Sequence, residues 1–425
     1  MEPASAAEYP LEAKRFVVAG LLGFGLFVFW MAWFIQAPLL TSYWGAQQHV
    51  SFGAAEYLVA AVDIAGIVTS VAAGYACDWL RPKRATALCL AVIVVGFGLR
   101  PLAVTSFPFM LVLTVIAGLG VPLIATIPAV TAQWFGRHRM NLPLALIFAT
   151  NPLGQAAGLL LGARMVAGIG ASWTYAVLSF ALLAALVAWL LLVPEAPRRP
   201  AGPPPERRAP FREAVRTVAR ARHVWFLIAV GLVYAAIITF SSSFLPGVMI
   251  GTYHLSPESA GDSIAIIPAA GTVGLLGFGY LARRSVTLRR FGIGTAVVQL
   301  AAWLAFTVAW LVGADSLALA LFLLAVFGLC LQPCFVFGLN AVERASGVTP
   351  AVVGVAAGFY VTAVSLGGYL LPVLQADTVD WSGQSAGFIG LLILFAIGVL
   401  LWAGTFLRGD RAAERPAERS SIVRG

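Results

Sequence analysis

Twelve stretches of this chain are each long and apolar enough to cross a lipid bilayer. They run over 16–42, 52–77, 84–106, 108–133, 141–167, 172–194, 223–250, 258–281, 290–312, 315–340, 350–376 and 384–407. About 20 apolar residues in a helix cover the hydrocarbon core. No water reaches backbone amides there, so a spanning segment is either a helix or a strand of a closed barrel. Barrel strands alternate in hydropathy, and nothing here alternates. Only 11% of the residues are charged, well below the share in a soluble domain, and 60% are hydrophobic, which also excludes a disordered chain. The expected fold is an all-α membrane protein. The first segment follows Glu2, Glu8 and Glu12 and is too long for a signal-peptide core, so it is expected to stay as an anchor.

The basic residues set the orientation. Of 27 Lys and Arg, all but Arg100 and Arg164 fall at the termini or in alternate loops. Loops rich in Lys and Arg stay in the cytoplasm, so both termini are expected there. The net charge of +9 then forms a membrane-surface belt, and no nucleic-acid partner is expected. Lys14 and Lys83 are the only lysines, a skew that points to a GC-rich bacterial genome and an inner membrane. Cys77, Cys89, Cys330 and Cys334 lie in or near apolar segments without the neighbours a metal site needs.

Residues 195–222 divide the chain. Their Pro- and Arg-rich start reads as a stiff polar linker. Phe211, Val215 and Val218 then recur at helical spacing, with Arg212, Arg216 and Arg220 on another face. That pattern fits a short helix on the inner leaflet, or the solvated start of span seven. The organisation expected is a six-helix bundle over 1–194, the linker, a second six-helix bundle over 223–407 and a basic tail over 408–425. The halves echo each other: Gly74-Tyr75 matches Gly279-Tyr280, and Pro38 matches Pro246. Two pseudo-symmetric bundles of this kind are a transporter signature.

No phosphate loop, nucleophile elbow or metalloprotease motif is present, so the chain reads as no enzyme and no ATP-driven pump. No cofactor is expected. Uphill movement would draw on a gradient.

The loop after span two reads Gly74-Tyr75-Ala76-Cys77-Asp78-Trp79-Leu80-Arg81-Pro82-Lys83-Arg84. It resembles the G-x-L-A-D-R-x-G-R-[KR] signature of the major facilitator superfamily; the glycine, the acid and the distal bases match, while Trp79, Arg81 and Pro82 depart. The likeness covers essentially the whole chain. It implies that Gly74, Asp78, Arg81, Lys83 and Arg84 form a gating motif, with Asp78 against the start of span eleven at Thr349-Pro350. A carboxylate at that positive helix end would favour one gate state. Ala282 stands where the second half would carry its acid, so gating is expected to be asymmetric.

A narrower likeness lies in Gln133-Trp134-Phe135 before the basic loop, and in Ala149-Thr150-Asn151-Pro152-Leu153-Gly154. These resemble the feline leukaemia virus subgroup C receptor branch, which includes choline and ethanolamine carriers. Trp33-Phe34-Ile35-Gln36 is similar to a span-one motif of that branch. The resemblance implies that Trp33 and Tyr234 cage a quaternary amine. Pro152 stands where those carriers have a cavity glutamine, and Ser365 falls near their second. A W-F pair before a basic loop also occurs in organic-anion branches.

Several intramembrane residues stand out without any family. Trp30 and Trp33 are one helical turn apart at mid-membrane, which suits cavity lining or core packing. Asn151 and Gln155 share a face of span five, as cavity groups or as an interhelical hydrogen bond. Asp63 is a carboxylate near the centre of span two, with Arg100 at similar depth in span three. A charge there is by default functional. Asp63 is either a proton or cation site tuned by Arg100, or half of a fixed ion pair with it. Arg164 is expected to snorkel, and Glu56, Asp262 and Glu343 to be solvated. The glycines of spans four, five and eleven are expected to let helices approach closely.

The expectation is a secondary carrier working by alternating access. Its expected partners are one small organic solute, the bilayer and a coupling proton or cation, and it is expected to act as a monomer. An amine is expected to bind in a cavity formed by Trp30, Trp33, Gln36, Asn151, Gln155 and Tyr234. The alternatives are an organic-anion carrier that uses Arg100 and, more remotely, a non-transporting receptor.

Overall fold

The computed structural model describes residues 9–76, 82–135, 141–194, 210–281, 285–343, 348 and 352–408. Among these the regular structure is helical throughout, with no strand. Eleven stretches are long and apolar enough to cross a membrane. One of them, Pro143–Leu192, has 50 residues, about 75 Å of helix against roughly 30 Å of hydrocarbon. It holds two spans, divided at Gly170, whose φ of 80° only a glycine adopts readily. Among the described residues the spans then number twelve.

Span one is α1, Tyr9–Phe34, followed by a π-helical turn at Leu40–Gly45. Span two is α2, Phe52–Ala60, and α3, Val62–Ala76. Span three is α4, Pro82–Gly98, ending in a 3-10 turn at Arg100–Leu102. Span four is α5, Phe107–Gly118, and α6, Leu123–Phe135. Spans five and six form α7, Asn141–Leu192. A short helix, α8, Phe211–Arg220, buries Ala214 and Val218 and is separated from span seven at Ala221. Spans seven to twelve are α9, Arg222–Tyr253; α10, Pro257–Leu281; α11, Ser285–Leu311; α12, Leu317–Glu343; α13, Val353–Ser382; and α14, Gln384–Arg408.

The first bundle packs α7 against α1 and α4. The second packs α9 against α13 and α14, and α12 against α10 and α11. Two seams join the halves: α13 runs along α2 and α3, and α10 runs along α7. Glycines make these approaches possible. A Cβ on Gly358 would sit 3.0 Å from the Val71 Cα across the first seam. Within the first bundle, Gly158 would press on the backbone of Met31, Phe34 and Ile35, and Gly154 on that of Phe27. Gly118 abuts the Val62 carbonyl, bringing the breaks of spans two and four together.

Candidate functional site

The breaks build the site. Pro38 has no N–H to offer and its ring crowds the preceding turn, so span one unwinds after Phe34. The Gln36 N–H turns to the Trp33 carbonyl, leaving the Ala32 carbonyl without its helical partner. In span two, α2 ends at Ala60, and its last carbonyls lose their donors. The Trp33 indole N–H donates to one of them, Val59, at 2.7 Å. Asp63 follows directly in the first turn of α3, the electropositive end of a helix. Discontinuous helices meeting at mid-membrane are where carriers of this architecture bind their solutes.

These elements enclose a cavity of about 40 Å³ between the two halves. Trp30 and Trp33 line it, stacked on each other with ring centroids 4.7 Å apart. Asn151 and Gln155 line it too, as does Asp63. The Gln155 amide donates to Asn151 Oδ1 at 2.8 Å, and Gln332 of α12 donates to Gln155 Oε1 at 3.1 Å. The pair on span five is therefore both a cavity wall and a cross-half hydrogen bond. The Trp30 indole N–H is buried and has no partner. The space has room for a few water molecules, each needing about 10–15 Å³. An organic solute is expected to enter when the halves part.

Other expected site residues lie elsewhere. Tyr234 is buried inside the second bundle against Cys334 and Gly398, not in the cavity. The cavity face of α9 is instead Ala235, Ile238 and Thr239, about a quarter-turn away. The second-half aromatic is Tyr360 of α13, which the sequence reading missed along with Gln332. Gln332 was visible as an amide in an apolar run; no local signal singles out Tyr360. Gln36 is also off the cavity. Its Oε1 accepts from the Tyr175 hydroxyl at 2.8 Å and the Trp44 indole at 3.4 Å.

Asp63 and Arg100 are not brought together as an ion pair. Arg100 donates to the orphaned Ala32 carbonyl at 2.7 Å and to Thr114 Oγ1 at 2.9 Å, and lies 3.9 Å over the Phe97 ring. Its guanidinium repairs the break in span one from behind the cavity wall. Asp63 faces the second half, beside Ser365 and close against Gly368.

The end of the molecule away from both termini carries two cross-half contacts. Both terminal nitrogens of Arg164 bond the Asp262 carboxylate of α10, with the side chain still exposed. At the other seam, the Gly53 N–H at the start of α2 donates to Asp380 Oδ2 at 2.8 Å, with Asp377 alongside. Glu56, expected in solvent, is fully buried. Of the gating motif, Gly74 lies on α3, Lys83 is half-buried with its carbonyl accepting from Trp189, and Arg84 is exposed. Asp78, Arg81, Thr349, Pro350 and Ala282 lie outside the described residues, as does the Glu343 side chain.

Two six-helix bundles meet around a largely apolar cavity that carries a few polar side chains, with polar contacts joining the halves, an arrangement that suits a carrier. The chain belongs to the Major Facilitator Superfamily, whose family model matches residues 22–372. Among solved structures it resembles a mutant of the nucleoside transporter NupG, with a TM-score of 0.68, 15% identity, and 92% of this chain and 100% of that one covered. It also resembles a bacterial homologue of the human lysosomal transporter Spinster, in an inward-facing, unoccupied conformation. There the TM-score is 0.68 and identity 14%, over 92% and 95% of the two chains. At such identities the likeness is one of fold. No curated protein gives a significant match. The chain is a membrane transporter of a small molecule and not an enzyme.

Proposed function

We propose that this carrier moves a small organic amine or cation by alternating access between the bundles at 16–194 and 223–407. The observation that carries the substrate class is Asp63, the one charged side chain among the residues lining the cavity. It stands with the aromatic side chains of Trp30, Trp33 and Tyr360. An ammonium gains from the carboxylate and, over aromatic faces, about 0.5–2 kcal/mol more. The choline-carrier likeness around Trp134 and Asn151 points the same way. An organic-anion carrier would want Arg100 in the cavity, whereas its two terminal nitrogens are engaged behind span one. The belt of arginines supports a bacterial inner membrane with both termini cytoplasmic.

The test is thermal stabilisation of the purified protein by choline, ethanolamine and simple monocarboxylates, with Asp63→Asn alongside. Amines are expected to raise the melting temperature of the wild type, and the variant to bind them at least about tenfold more weakly, a 1.4 kcal/mol loss. Stabilisation by carboxylates alone would overturn the reading. Saturable choline counterflow in proteoliposomes separates a carrier from a receptor.

A further inference from the structure

Glu56 has no counterpart in the carrier scheme so far. Its side chain is fully buried, and neither carboxylate oxygen has a hydrogen-bond partner. The described elements packed against α2 are α3, α5, α9, α13 and the π-helical turn. Their only basic residues are Arg222 and His223, at the far end of α9. Those lie about 30 Å along that helix from the turn facing Glu56. The ionisable groups facing it are acids or phenols. Asp380 and Asp377 sit about one turn outward, Asp63 lies two turns inward, and Tyr43 donates its hydroxyl to the Val104 carbonyl.

The polar side chain against Glu56 is Ser243 of α9. The Ser243 hydroxyl already donates to the carbonyls of Thr239 and Phe240, both at 3.2 Å. Its oxygen is left free to accept. A protonated Glu56 can donate to that oxygen, whereas an ionised one has this single hydroxyl as its donor, and only if the hydroxyl turns away from the helix carbonyls. A buried ionised carboxylate with one donor and no counter-charge is strongly disfavoured. One turn inward from Ser243, Thr239 lines the cavity close to Asp63 across Gly368. Glu56 and Asp63, seven residues apart, lie on one face of span two.

We propose that Glu56 is a proton-binding site, the outer station of a two-acid column whose inner member, Asp63, faces the solute. The proton enters when the Gly53–Asp380 lock opens and water reaches Glu56. It is held on Glu56 while that side is closed. This rests on the carrier reading above, and it adds the ion that drives the carrier and where that ion waits. A sodium ion would need several oxygen ligands; Glu56 is offered one hydroxyl.

The test is infrared spectroscopy of the purified protein in detergent near neutral pH. Wild type is expected to show the carbonyl stretch of a protonated carboxylic acid, lost from that region in Glu56→Gln. Ser243→Ala, which removes the acceptor but keeps the acid, is expected to shift the band; it provides the readout if the glutamine variant does not fold. No Glu56-dependent band, or a band abolished by replacing choline chloride with sodium chloride, would overturn the proposal. A Glu56-dependent band in a protein that shows no amine counterflow would leave the proton site standing and sink the amine reading instead.

Discussion

A single side chain does different work according to the helix face it occupies. Arg100 and Asp63 stand at similar depth, yet one repairs a backbone and the other faces a cavity. Arg100 is therefore expected to matter for stability. Arg100→Lys keeps the charge but cannot reach two acceptors and lie over Phe97 at once. Leaving a buried carbonyl unsatisfied costs about 1–3 kcal/mol, so the variant should melt at a lower temperature and still be stabilised by amines. A loss of amine binding with unchanged melting would contradict this role. Depth was legible in the sequence because it follows from counting residues along an apolar run. The facing partner was not, since it depends on how neighbouring helices rotate. The same reason explains the exchange of Tyr234 for Tyr360. It also explains Glu56, placed near a span end by counting but covered by α9 and α13 in the fold.

At the scale of the helix, breaks and glycines decide the architecture. Pro38 opens span one, whose freed Ala32 carbonyl accepts from Arg100, and Pro122 falls in the gap of span four, which is bridged by i→i+3 backbone bonds. Span five keeps span one close through Gly154, Gly158 and Gly162. Gly158→Leu would force span one outward from backbone contacts of 2.8 Å, an overpacking cost of about 1–3 kcal/mol. Gly294→Leu is the control: it meets nothing within 4 Å and should be tolerated. Equal melting temperatures for the two variants would refute the close-packing account. The glycine pattern was readable in advance because small residues at helical spacing have few other uses in a membrane.

For the whole molecule, the two cross-half contacts away from the termini are expected to bias one state of the carrier against another. The Arg164–Asp262 pair is partly exposed, with side chains 46% and 34% accessible, so its worth is modest, roughly 0–1 kcal/mol. Arg164→Asp alone is expected to shift the population towards an outward-open form by a few-fold, seen as faster labelling of a cavity cysteine by an impermeant thiol reagent. The exchanged pair, Arg164→Asp with Asp262→Arg, should restore the slower rate. Labelling that stays fast in the double variant would show that the pair is no lock. The twelve-span architecture was legible because apolar length is a local property. The locks were not, because each joins residues about a hundred or more positions apart.

Gly170 has a consequence for biosynthesis. Gly154, Gly158 and Gly162 follow span one outward, while Ser179 and Trp189 follow span three back inward, so the chain reverses at one residue with no loop. The newly made segment is therefore expected to enter the bilayer as a hairpin, with the Asn151–Gln155 amides carried in on one arm. A larger residue at Gly170 would be felt first during membrane insertion, as a fall in yield, before any transport was measured.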